Sequence, residues 1–209
     1  MKNHNKKPNE KEKIALGLFY KRFYDLYEEL SNDNFFKNKS SYRFYMIREI
    51  FSVYKELLGY KPIQYHIELI KKTRPPLEGI IVNDLFSFIR NLLLHFPIFD
   101  NWDDVYISKD LATWNKAGTI HRFLENSSKI KINDKGTIKY SIWEKSKKLM
   151  TYISINFPEE YNDNIIFLKD IVSEKEGIKL CISFMKEILD FQIDANEAQD
   201  IRIMSQVYV

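Results

Sequence analysis

A chain of 209 residues, 44% apolar and 15% aromatic, can fill the core of one domain, and a lone Cys181 excludes a disulfide framework or multi-cysteine zinc site. The longest apolar run, Leu92–Phe99, is too short for a membrane span, and Met1–Lys13 leads into no signal-cleavage pattern, so a soluble, cytoplasmic protein is expected. The net charge of +3 lies wholly in Met1–Lys13: setting aside its five lysines and two glutamates leaves 27 basic and 27 acidic residues, which excludes a DNA-wrapping basic face.

Residues 1–13 read as a lysine-rich, disordered tail. A first helix follows, with Leu16, Phe19, Tyr20, Phe23, Leu26, Tyr27 and Leu30 at spacings of three and four, and stops at Ser31–Asn34. Ser40 or Ser41 suits the N-cap of a second helix that carries Phe44, Ile47, Phe51, Tyr54 and Leu58 and ends at Gly59. A shorter helix, Ile63–Lys72, is broken by Thr73–Pro76. Leu77–Phe96 is the clearest helix: Leu77, Ile81, Leu85, Phe88 and Leu92 form one stripe, and Pro97 closes it. After the loop Asp100–Asp104, Ser108 suits the cap of a helix running through Leu111, Trp114, Ala117, His121 and Leu124 to Ser128.

Over Lys129–Ile142 the apolar period changes to two. Ile130 and Ile132 lie across a turn at Asn133–Gly136 from Ile138, Tyr140 and Ile142, which predicts a protruding hairpin. Glu144–Phe157 fits neither period. Asn164 onward returns to helix, with Ile178, Ile182, Met185 and Leu189 as its stripe. The expected fold is mainly α: a helical core over 14–128, a small β-hairpin insertion, and C-terminal helices over 129–209 packing on the core.

The strongest chemical signal is Arg90-Asn91-Leu92-Leu93-Leu94-His95. At 100° per residue, Asp84, Ser87, Asn91 and His95 form one polar strip, and the length of Arg90 lets its guanidinium return toward it. Histidine can move a proton on or off a ribose 2′-hydroxyl near neutral pH, and arginine can hold non-bridging phosphate oxygens as charge builds. Asparagine can fix either the imidazole or the phosphate. The alternative is a core-edge histidine bonded to Asn91, with Arg90 as a surface charge.

This hexapeptide resembles the R-N-x-x-x-H signature of the HEPN superfamily, the compact helical domains of many prokaryotic toxins, abortive-infection proteins and CRISPR-associated RNases. The resemblance covers Ile14–Ser128. It implies an up-and-down helical bundle and a metal-independent endoribonuclease, with Arg90, Asn91 and His95 as catalytic residues and two motifs meeting across a homodimer. RNA is then the substrate and no cofactor is needed, while what restrains the activity, an antitoxin or operon partner among the candidates, stays open. The subgroup paired with nucleotidyltransferase antitoxins carries tyrosine two residues past the histidine; here that position is Pro97.

Other features have plainer readings. His121, on the stripe of its helix, reads as a core histidine, with a place in the His95 cleft as the alternative. His66 beside Glu68 reads as structural. Asp100, Asp103 and Asp104 could collect Mg²⁺ but read as a solvated turn, so no metal site is assigned. Lys129, Lys131 and Lys139, with Tyr140 and Trp143, could track a phosphate backbone and stack on bases, or simply solvate a half-buried hairpin. Two further functions stay open: a catalytically silent dimerising or nucleotide-binding module, and a nucleic-acid-binding accessory protein.

Overall fold

Asn9 starts the first helix. Its Oδ1 accepts from the Glu12 N–H at 2.9 Å, while the Glu12 carboxylate accepts from the Asn9 N–H at 2.8 Å. This reciprocal pairing satisfies two N–H groups that a helix start leaves unpaired. Helix α1 therefore runs Glu10–Ser31, and Glu10–Lys13 belong to it rather than to the tail. The computed structural model describes residues 8–64, 68, 84–96, 98–111, 113–114, 117–128, 137–144, 149–156 and 165–192.

Leu16, Tyr20, Phe23, Leu26 and Leu30 of α1 are buried against α2 (Ser40–Leu57), where Phe44, Ile47, Phe51 and Tyr54 face inward. The expected serine cap is absent: Lys39 occupies the N-cap and makes no side-chain bond there. The next described helix, α3 (Phe86–His95), packs on α2 through edge-on contacts of Phe86 with Phe51 and Tyr54. Leu85, Phe88 and Leu92 of its predicted stripe are buried; Leu77 and Ile81 lie outside the described residues. Most of the expected Ile63–Lys72 helix lies outside them too.

Trp102, fully buried in the short 3₁₀ turn Trp102–Asp104, donates its indole N–H to the Val172 carbonyl at 3.1 Å. The loop that reads as merely acidic thus carries a core anchor. Strand β1 (Tyr106–Ser108) follows and pairs antiparallel with the later strand β4 (Ile165–Phe167), Ile107 opposite Ile166. This pairing overrides the helix expected from Ser108. Ser108 instead accepts from the Asp110 N–H over the 3₁₀ turn Lys109–Leu111, and helix α4 begins only at Ala117 (Ala117–Ser128). Trp114, expected on its stripe, is 65% exposed.

The hairpin exists, but with a different partner strand. Strand β2 (Thr137–Glu144) contains Ile138, Tyr140 and Ile142 as predicted, yet it pairs with β3 (Leu149–Asn156), from Thr137 opposite Asn156 to Glu144 opposite Leu149. The β-branched Thr151, Ile153 and Ile155 suit a pleated strand and outweigh the short Ile130–Ile132 pair, which lies outside the described residues. Nor does the hairpin protrude. After β4 come a short helix α5 (Leu168–Ile171) and a long one, α6 (Lys175–Gln192), and β3 lies alongside both. The predicted α6 stripe is buried, and α6 packs on α1 and α2. Arg43 of α2 grips Glu174, just before α6, with Nε–Oε1 and Nη2–Oε2 distances of 2.8 and 2.9 Å. The chain is mainly α with small antiparallel ladders.

Candidate functional site

Arg90, Asn91 and His95 meet on α3. Phe86, Phe88, Ile89, Leu92 and Leu93 turn that helix's apolar face to the core, which leaves the polar positions half-buried at its edge. Arg90 Nη1 lies 3.2 Å from Asn91 Oδ1 and 3.2 Å from His95 Nε2. A guanidinium has donors only, so Nε2 accepts, and the imidazole carries its proton on Nδ1. Asn91 holds the guanidinium rather than the imidazole, and Arg90 is not a free surface charge. Asp84 and Ser87 lie half-buried along the same strip, outside this contact group.

The guanidinium has donors to spare. Its Nε is shut off from solvent without a hydrogen-bond partner, and among the described residues no carboxylate pairs with Arg90. A buried donor left unpaired costs about 1–3 kcal/mol. A second cation stands nearby. Lys55, near the end of α2, is held below the usual lysine pKa by partial burial of its ammonium and then by the charge of Arg90, with Glu56 opposing. No carboxylate bridges Lys55 among the described residues. Two cations from packed helices, neither bridged by a carboxylate among the described residues, make this edge attractive to anions. Lys55 has no local signal in the sequence; only the α2–α3 packing brings it to the motif.

Beside the motif lies a small cleft of about 10 Å³, room for a single water. Buried Leu92, Ile107 and Ile120 form its floor, and half-buried Phe96, Tyr106, Ser108, Leu111 and His121 its rim. His121 thus lines a cleft next to the His95 end of α3 rather than sitting wholly inside the core. The lysine-rich strip is only partly placed: Lys139, Tyr140 and Trp143 lie on β2 opposite Ser154, Ile153 and Met150, while Lys129 and Lys131 lie outside the described residues, as does His66. Asp100, Asp103 and Asp104 are exposed, and Asp104 accepts from the Asn101 side-chain amide at 3.2 Å. Among the described residues no three or more His, Cys, Asp or Glu side chains are grouped to hold a metal ion, and no helix is long and apolar enough to cross a membrane. Cys181 is buried, and burial pushes its thiol pKa up, away from reactive thiolate.

Comparison with family profiles, curated proteins and solved structures finds no match for this chain.

Proposed function

We propose that the protein is a HEPN-type endoribonuclease that cleaves RNA through its own 2′-hydroxyl and needs no metal, because histidine can move both protons of the reaction. The observation that carries this reading is the contact of Arg90 Nη1 with both Asn91 Oδ1 and His95 Nε2 at 3.2 Å. It puts a proton acceptor beside an arginine with unused donors. A scissile phosphate would draw the guanidinium onto its non-bridging oxygens and free Nε2. His95 Nε2 then takes the 2′-hydroxyl proton, the 2′-oxygen bonds to phosphorus, and the bond from phosphorus to the 5′-oxygen breaks.

The leaving 5′-oxygen needs a proton. One motif supplies a single histidine, so the donor is the protonated His95 of a second copy across a two-fold interface. The reading therefore includes a homodimer with RNA as its partner. It suits a cytoplasmic toxin or anti-phage effector restrained by an antitoxin or operon partner.

The products test the chemistry. They should end in 2′,3′-cyclic phosphate and 5′-hydroxyl, and DNA should resist. Arg90→Lys should lose most of the rate, because a point charge cannot replace a two-pronged phosphate contact. Products bearing 3′-hydroxyl and 5′-phosphate, or a strict monomer by light scattering at micromolar concentration, would count against the proposal.

A further inference from the structure

We infer that Lys55 is a second phosphate-binding residue of the site: it takes the phosphate next to the scissile one, so that the α2–α3 edge holds two successive phosphates of one RNA strand. The inference rests on the endoribonuclease reading and adds a contact to it. Packing supports it first. The Phe86 ring of α3 lies against Phe51 and Tyr54 of α2, at centroid distances of 6.1 and 5.8 Å. Lys55 stands one turn after Phe51, and Arg90 one turn after Phe86, so both cations border the same aromatic contact. They sense each other: after partial burial, the charge of Arg90 is what lowers the Lys55 pKa.

Charge compensation comes next. Elsewhere on the described helices cations find acids: Arg22 meets Glu49, Arg43 meets Glu174, and Lys186 meets Asp190. Lys55 and Arg90 repel each other, yet neither is bridged by a carboxylate among the described residues. The positions one turn from Lys55 along the chain are Phe51, Ser52, Leu58 and Gly59, so its own helix offers no acid there. A polyanion supplies what the fold does not, because each phosphate neutralised by a cation releases condensed counterions and so favours binding. Depth divides the two roles. Arg90 is half-buried, with Nη1 3.2 Å from His95 Nε2, whereas Lys55 is exposed. The inner cation meets the phosphate beside the proton acceptor, and the outer one meets the phosphate that follows along the strand. Lysine suits that second place, since a point charge on a flexible stem can follow a backbone without fixing it.

Equilibrium binding of the full chain to uridine oligomers with 2′-O-methyl riboses tests this, since they lack the attacking hydroxyl and stay intact. Without terminal phosphates, a dinucleotide carries one phosphate and a pentanucleotide four. Lys55→Gln should weaken the pentanucleotide several-fold more than the dinucleotide. For the pentanucleotide it should also lower the slope of log affinity against log salt by about 0.7, the worth of one single-strand phosphate contact; between roughly 50 and 200 mM salt that is about 2.6-fold. Lys55→Arg, which keeps the charge, should restore both, and Arg90→Ala should weaken both oligomers. In cleavage, Lys55→Gln should raise KM more than it lowers kcat, the mark of binding made equally in ground and transition states. An unchanged slope, or equal weakening of both oligomers, would overturn the inference. A slope that falls in a protein that cuts no RNA upholds the contact and removes the nuclease reading. Cleavage with an unchanged slope does the reverse.

Discussion

Arg43→Ala should be among the more damaging single substitutions at a site that contributes nothing to the apolar core. The wild-type pair has two parallel charge-assisted bonds of 2.8 and 2.9 Å, and its side chains are only 16% and 17% exposed. Removing one partner of a fully buried pair costs roughly 3–5 kcal/mol, and an exposed pair is worth less than about 1 kcal/mol. At one-sixth exposure the first limit lies closer, and we expect about 3 kcal/mol. For a chain of this size that lowers the melting temperature by roughly 6–12 °C. Most of the loss is the stranded Glu174 carboxylate, so adding Glu174→Gln to Arg43→Ala should restore part of it. Thermal and urea unfolding of both single variants and the double variant measure the cycle. A loss below about 1 kcal/mol, or strictly additive effects, would show that the pair is not coupled in this way. The pair ties α2, the helix that carries Lys55, to the start of α6.

A second prediction concerns acid. Lys179 and Lys175 hold the exposed Asp33 carboxyl down to about 2 from 3.8, so its contribution is complete above the unfolded value and disappears as pH falls from 3.8 toward 2. Asp33→Asn should melt slightly below wild type at neutral pH, with the gap closing across that window; a gap that persists at pH 2 would contradict this. A third concerns Lys55→Gln, which removes an exposed cation whose pKa is lowered by partial desolvation and by the charge of Arg90. It should leave the melting temperature equal or higher while weakening RNA binding and flattening its salt dependence; weaker folding with unchanged binding would show that Lys55 is structural.

Local features were the legible ones. The α1 and α2 stripes could be read because residues three and four apart share a face, and Phe23, Leu30, Phe44 and Ile47 are indeed among the most buried. The motif could be read because Arg90, Asn91 and His95 lie within one and a half turns, and the guanidinium closes the gap. What could not be read depends on distant partners. Tyr106–Ser108 is a strand only because Ile165–Phe167 lies beside it, and Ser108 otherwise reads as a helix cap. Alternation fixes a face and not a pairing, so β2 pairs with the β-branched run Thr151–Ile155 rather than with Ile130 and Ile132. Lys55 and the cleft rim come from separate helices and strands, and nothing in their own segments marks them.

In the proposed reaction His95 moves the protons of RNA cleavage. The direct measurement is the cleavage rate of a labelled RNA by purified protein in excess EDTA, wild type against His95→Ala, with both proteins shown to be folded. Wild type should cleave in EDTA, and His95→Ala should fall by ~10²–10⁴-fold, the usual worth of a positioned acid–base group. Undiminished, EDTA-resistant cleavage by the His95→Ala protein would show that His95 does not move those protons.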